Sequence, residues 1–221
     1  MLTIHGVRPS IHTRKVLLAA SELGMDYKLE MVIPMNPPPH WHELSPTGFI
    51  PALTQGDFNL TDSTVICEYL DQLASEPSLY PTEAKKKAKA RWYEEYVDSS
   101  LSVHVIELFH EVIGKGVFQG LDVDHEKVDT INANLPEKLD YLESQLTTPY
   151  FMGDEFTVAD IALVSNLINY QYVGFTLDAE SYPNLVRHYN NVVTRPKVRK
   201  TLDEEIEAAR NMGLNPDFLV N

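Results

Sequence analysis

Ser45-Pro46-Thr47-Gly48-Phe49-Ile50-Pro51-Ala52-Leu53, followed after a short hairpin-like segment by Asp62-Ser63-Thr64-Val65-Ile66, decides the fold. Pro51 lies between apolar residues at what reads as the start of a strand. A proline has no N–H to give to a sheet ladder, so it belongs at an edge or a special bend. On the edge reading, the Ile50 N–H and C=O are unclaimed and can pair with an extended, peptide-like ligand. A cis Ile50-Pro51 bond would turn those groups toward it. Asp62-Ser63 sit where the next helix should begin, and a helix start offers unpaired N–H groups and partial positive charge to a carboxylate. Together these features describe a receptor for a small acidic peptide.

The flanking pattern alternates strands and helices. Leu2 to His5 and Tyr27 to Val32 read as strands, with a helix between them over Thr13 to Leu23, where Val16, Leu17, Ala20 and Leu23 recur at helical spacing. Pro34-Met35-Asn36-Pro37-Pro38-Pro39 must be loop. Ala52 to Gln55 and Phe58 to Thr61 read as strands around the Gly56-Asp57 turn, and Ser63 to Leu73 as a helix. Ser75-Glu76-Pro77-Ser78 breaks that helix, and no convincing strand follows Thr82. Helical patterns cover Lys85 to Ile113, Glu126 to Leu146, Val158 to Tyr170, Leu185 to Val193 and Val198 to Ala209. The fold class is α/β plus all-α, with a mixed domain over 1–80 and a helical one over 81–221. Thr157 and Asp160 form a capping box with Phe156 placed to pack on Ile161, which is a structural signal carrying no chemistry.

The 221 residues are 43% hydrophobic and 23% charged, and 32 acidic against 18 basic side chains give a formal charge of -14. That balance argues against nucleic acid or an anionic membrane as the main partner. No apolar run approaches the ~20 residues of a membrane span, and the start of the chain lacks a signal-peptide pattern, so a cytoplasmic protein is expected. Cys67, the single cysteine, excludes an internal disulfide and a cysteine metal cage, and its apolar surroundings mark it as a buried small hydrophobe. His40-x-His42 lacks a third ligand nearby, and His104 and His110 fall on different helix faces, so no metal site is assigned. Lys85-Lys86-Lys87 reads as a solvated face. Read from the residues alone, Ser10 is a helix cap, and Asp62 and Ser63 read as caps too, Ser63 before Thr64-Val65-Ile66 being a good one by itself.

Ser10-Ile11-His12-Thr13-Arg14-Lys15-Val16, the Ser45 to Leu53 stretch, Asp62-Ser63-Thr64-Val65-Ile66-Cys67-Glu68-Tyr69-Leu70 and Phe156-Thr157-Val158-Ala159-Asp160-Ile161-Ala162 come in the order and spacing of one family. The chain resembles the cytosolic glutathione S-transferases over essentially its whole length. The resemblance is to serine-type, bacterial-like members, with no subfamily assigned. The resemblance implies a thioredoxin-like N-terminal domain that binds glutathione as co-substrate. It also implies an all-helical C-terminal domain that supplies most of the second-substrate pocket, and a homodimer. By position, Ser10 would be catalytic, Ile50 would pair with the cysteinyl unit, Pro51 would be cis, and Asp62 and Ser63 would hold the γ-glutamyl end. Phe49, where members carry lysine, arginine or glutamine, belongs to the glutathione-binding set by position. His40 joins it as one of four residues, with Asn36, Trp41 and His42, among which the contact to the glycyl carboxylate is to be sought. No tyrosine or cysteine occupies the first strand or the loop after it, against the tyrosine- and cysteine-type members. Tyr96 and Ser100 on the long helix are candidates for the second-substrate pocket.

The implied function is conjugation of glutathione to small hydrophobic electrophiles, in the manner of detoxification enzymes. A cysteine thiol of pKa about 8.5 is mostly protonated near neutrality, and the thiolate is the nucleophile. A Ser10 hydroxyl donating to the sulfur, assisted by the helix terminus, would lower that pKa. The same thiolate would serve peroxide reduction or isomerisation, and a non-catalytic interaction protein on this scaffold is the alternative from another class.

Overall fold

Period-two alternation in the first strand and the spacing of glycines and prolines around it set the core of the N-terminal unit. The computed structural model describes residues 1–75 and 78–220. Its sheet has the order β2-β1-β3-β4, with β1 (Leu2–Gly6), β2 (Tyr27–Met31), β3 (Ala52–Gln55) and β4 (Phe58–Thr61). β1 runs parallel to β2 and antiparallel to β3, and β3 to β4 is a hairpin in which Gln55 pairs with Phe58. On one face, Leu2, Ile4 and Leu53 join the main core; on the other, Ile50 and Ala52 pack with Val32 and Trp41 in a smaller cluster.

Pro51 is cis and immediately precedes β3, which lies inside the sheet between β1 and β4. The edge reading is therefore corrected to the bend reading. Pairing on both sides starts at Ala52, opposite His5 and Thr61, so Pro51 is never asked for an N–H. α1 (Ile11–Glu22) crosses from β1 to β2 and is buried nearly all round, as a helix without a polar stripe must be. It lies against α3 (Ser63–Leu73) on one side and against helices of the C-terminal half on another. A short α2 (Trp41–Leu44), absent from the sequence pattern, follows the proline loop. Glu76 and Pro77 of the expected helix break lie outside the described residues.

The long pattern expected over Lys85 to Ile113 is one continuous rod that runs further. α4 (Ala84–Tyr96) passes through a π turn at Val97–Leu101 into α5 (Ser102–Phe109), and a second π stretch carries it to Phe118. Each π turn inserts a residue into the helical ladder and so re-aims the side chains beyond it. The single helix expected over Glu126 to Leu146 is two, α6 (His125–Asn132) and α7 (Pro136–Gln145), because Pro136 has no N–H and its ring excludes a continuing helix before it; it serves instead as a first-turn residue.

α8 (Val158–Tyr172) is the axis of the helical unit, buried over almost its whole length and touching α1, α4, α5 and α9 (Pro183–Val193). Its capping box forms as expected, Asp160 Oδ2 accepting from the Thr157 N–H at 2.8 Å and from its hydroxyl at 3.0 Å. The other carboxylate oxygen accepts from the Phe151 N–H at 3.0 Å and lies 2.9 Å from His188 Nε2. One buried acid thereby fixes the start of α8, the chain before it and α9. Phe156 stacks edge-on to Tyr150 beneath the Arg195 guanidinium, 3.9 Å from its ring centre. α10 (Pro196–Asn211) closes the unit against α1.

Adjacent basic residues on α1 bind in opposite directions. Arg14, fully buried, makes two bonds to Glu205 of α10 at 2.6 and 2.7 Å and two more to the Ser165 carbonyl and Asn169 of α8. Lys15, also buried, pairs with Glu94 at 2.6 Å and Asp98 at 2.5 Å on the long helix. Burial alone would lower the Lys15 pKa, but the Asp98 and Glu94 carboxylates more than reverse this and hold it above the ordinary lysine value. α1, which carries Ser10 at its tip, is thus clamped to both sides of the helical unit.

Candidate active site

The junction from β1 to α1 is tight. A Cβ on Gly6 would overlap the Thr13 side chain, so only glycine lets the strand end come this close to the helix. The chain then turns, with the Ser10 N–H bonded to the Val7 carbonyl at 3.1 Å, and Ser10 takes the extended backbone of a helix N-cap. Its hydroxyl oxygen accepts from the Thr13 N–H at 3.4 Å, which leaves the hydroxyl proton free to donate elsewhere. Val7, whose carbonyl takes the Ser10 N–H, packs on the cluster that holds Ile50. Among the described residues, neither the N–H nor the C=O of Ile50 takes part in a hydrogen bond.

At the tip of α3, of the two residues expected to cap, Asp62 does so and Ser63 does not. Asp62 Oδ1 accepts from the N–H groups of Thr64 at 2.9 Å and Val65 at 3.1 Å, and Ser63 is the first helical residue. Asp62 holds φ at 75° and ψ at 122°, and it is the one positive-φ residue other than glycine among those described. Such a conformation costs on the order of 1–3 kcal/mol and persists where the surroundings enforce it. Asp62 is exposed, and neither its Oδ2 nor the Ser63 N–H has a hydrogen bond to other described residues.

His12, which the sequence did not single out, joins the two helix tips. From the first turn of α1 its Nδ1 lies 3.4 Å from Ser63 Oγ. Burial lowers its pKa from the ordinary 6.5, partly offset by the Asp98 carboxylate, so the ring is neutral at pH 7. The one signal for it in the sequence is its place two residues after Ser10, and that spacing alone does not say which way the ring turns.

The other expected residues fall into two groups. Trp41 is buried and its indole N–H donates to the Gly48 carbonyl at 2.9 Å, so it has no donor left for a ligand. His40 is exposed and paired with Glu43 at 3.0 Å, and His42 lies against Gly48. Phe49 is 74% exposed, and its carbonyl already accepts from the Ser45 hydroxyl at 2.8 Å. Tyr96 packs on Trp92 and on Tyr141 of α7, with ring centres 6.0 and 4.5 Å apart. Glu94 and Asp98 of the same rod reach Lys15 of α1 instead. Ser100 lies half-buried in the first π turn. Cys67 is fully buried in the core of α3, and burial raises its thiol pKa far above the ordinary value, so it is no rival nucleophile.

Residues 4–78 match the N-terminal domain of glutathione S-transferases and residues 108–205 match the C-terminal domain. The chain belongs to the glutathione S-transferase family. Glutathione S-transferase GstB of Escherichia coli is 27% identical over 215 residues, spanning 91% of this chain and 98% of that protein. A glutathione S-transferase of Silene vulgaris is 29% identical over 169 residues, spanning 72% and 77%. Among solved structures, a glutathione S-transferase from Rhodospirillum rubrum superimposes with a TM-score of 0.83 at 28% identity, covering 91% of this chain and 92% of that one. In this glutathione S-transferase the family's co-substrate is glutathione, and the thioredoxin-like unit is the one that carries Ser10, Ile50 and the α3 tip. No group of acidic, histidine or cysteine side chains that would hold a metal occurs among the described residues.

Proposed function

We propose that this glutathione S-transferase transfers the glutathione thiolate to small hydrophobic electrophiles, with Ser10 as the catalytic residue. The observation that carries the reading is the Ser10 hydroxyl at the tip of α1, its oxygen accepting from Thr13 and its proton unassigned. A hydroxyl in that state is a donor. It is no base, since its own pKa lies far above neutrality. Donation to the cysteinyl sulfur, together with the positive end of α1, favours the thiolate over the thiol, each pKa unit being worth about 1.36 kcal/mol. The thiolate then attacks the electrophilic carbon, and the leaving group departs with the electron pair of the broken bond.

The unclaimed Ile50 N–H and C=O are suited to pair with the cysteinyl unit, as an added strand does, with the cis Pro51 shaping the bend that presents them. The free N–H of Ser63 suits the γ-glutamyl carboxylate, and the unpaired oxygen of Asp62 suits its ammonium. His40, with Asn36 and His42, remains the group from which the glycyl carboxylate draws a partner. The protein acts in the cytoplasm as a homodimer. Supporting the latter, Phe58 of β4 packs tilted against Tyr69 of α3, Arg91 of α4 bridges to Glu68 of α3, and these three elements expose Phe58, Val65, Leu73 and Trp92.

Glutathione titration by calorimetry and turnover of an aryl halide test the assignment. Ser10→Ala is expected to retain glutathione binding and to lose about 10²–10³ in kcat, the scale for one lost donor to a developing anion. Because the thiol pKa then rises, its pH–rate profile should move to higher pH. Turnover by Ser10→Ala at the native rate would overturn the role of Ser10. Absence of glutathione binding to the native protein would favour an interaction role for the scaffold.

A further inference from the structure

The His12 to Ser63 contact links the two helix tips, yet the conjugation chemistry described above makes no use of it. His12 is half-buried, its ring neutral at pH 7, and the groups acting on that ring are Lys15 of its own helix, Asp98 of the long helix and Asp62 at the α3 start. Among the described residues the Ser63 hydroxyl has His12 as its hydrogen-bond partner. Ser63 is buried at the first position of α3, and of the three staggered wells open to a serine side chain the His12 contact selects one. An imidazole Nδ1 that carries the proton donates to Ser63 Oγ and leaves the hydroxyl proton for a carboxylate. The 3.4 Å separation is long, as such contacts commonly are before a ligand draws the groups together. Asp98 adds a second observation at the same place. Its Oδ2 accepts from Lys15 Nζ at 2.5 Å and from the Thr64 hydroxyl at 3.4 Å, while Oδ1, although buried, has no partner among the described residues. The carboxylate that acts on the His12 ring therefore keeps one oxygen unpaired.

We infer that His12 is a positioning residue: it holds the Ser63 hydroxyl in the rotamer that meets the γ-glutamyl unit of glutathione, and sets affinity for that end of the tripeptide without touching the sulfur. This rests on the glutathione reading above. It separates two tasks along one turn of α1, Ser10 acting on the thiol and His12 acting through Ser63 on the far end of the ligand.

The experiment compares native protein with His12→Leu, His12→Asn, His12→Gln, Ser63→Ala and the His12→Leu/Ser63→Ala double variant, measuring glutathione Kd by calorimetry, and KM and kcat with an aryl halide. His12→Leu is expected to weaken Kd and raise KM for glutathione about fivefold, the scale of one net hydrogen bond, with kcat at saturation unchanged. Asparagine places its amide where Nδ1 stood and should restore most of the affinity. Glutamine reaches toward the Nε2 position and should not. In the Ser63→Ala background, His12→Leu should cost nothing further. Native affinity in His12→Leu, asparagine no better than leucine, a fall in kcat matching the rise in KM, or an undiminished loss in the Ser63→Ala background would each overturn the inference. Failure of the native protein to bind glutathione would instead overturn the reading it rests on. Should His12→Leu fold poorly, the asparagine and glutamine variants carry the comparison by themselves.

Discussion

Replacing Glu205 with glutamine removes one negative charge and leaves shape almost unchanged. In the native protein Glu205 Oε2 accepts from Arg14 Nε at 2.7 Å, and Oε1 accepts from Arg14 Nη2 at 2.6 Å and from the Tyr172 hydroxyl at 3.1 Å. A glutamine keeps one acceptor and turns an NH2 toward the guanidinium. Arg14 is wholly shielded from water and retains Asn169 and the Ser165 carbonyl, both uncharged. Breaking a buried pair from one side costs about 3–5 kcal/mol, since the remaining charge is left without its counter-ion. For a chain of this size each kcal/mol lowers Tm by about 2–4 °C, so Glu205→Gln should melt roughly 6–20 °C lower. Arg14→Met should cost a similar amount, stranding Glu205 with the Tyr172 hydroxyl. The double variant buries no charge, so its loss should fall well short of the sum of the two single losses. Urea and thermal unfolding of the four proteins give the cycle. Single variants within about 1 kcal/mol of native, or a double variant equal to the sum, would show that the pair is not the clamp described.

Asp62→Gly should leave stability within about 1 kcal/mol of native, the lost cap being offset by relief of the positive φ, yet weaken glutathione binding. Asp62→Ala should lose both cap and relief and be the less stable of the two in urea. The Glu111 carboxylate takes hydrogen bonds from Lys115 Nζ at 2.7 Å, the Asp124 N–H at 3.0 Å and Lys127 Nζ at 3.0 Å, which hold its pKa down to about 2 from the ordinary 4.5. A depressed carboxylate stabilises the fold fully above its unfolded pKa. The stability gap between native protein and Glu111→Gln should therefore be constant above pH 5 and close as pH falls from about 4.5 toward 2; a gap that widens in acid would refute this. Cys67 should resist an aromatic disulfide reagent at pH 8 in the folded protein and react only at the rate of opening, so fast labelling without denaturant would contradict its burial.

Local pattern carried the mixed sheet and α1, because period two in Leu2 to His5 and period 3.6 from Val16 to Leu23 are properties of adjacent residues. The bend at Pro51 was legible for the same reason, whereas its place inside the sheet depended on how β1 and β4 pair around it. Pro136 was present in the sequence, but the apolar spacing from Glu126 to Leu146 runs across it and masked the break. Asp62 outcompeted Ser63 as cap because its carboxylate reaches two N–H groups from a backbone angle that no propensity describes. Arg14, Lys15 and His12 were unreadable as partners. Glu205 is 191 positions from Arg14 and Ser63 is 51 from His12, so their pairing is a consequence of the finished fold.

Arg14 acquires its counter-ion only once residue 205 has been synthesised and α10 has docked. During translation the thioredoxin-like unit emerges first, with the strands and the α1 tip already specified by nearby residues, but with a bare guanidinium where the finished protein has a neutralised one. A nascent chain halted before α10 would hold that helix loosely, and Ser10 with it. The seat of the α1 tip is thereby specified by residues around position 10 and secured by residue 205, far along the same message.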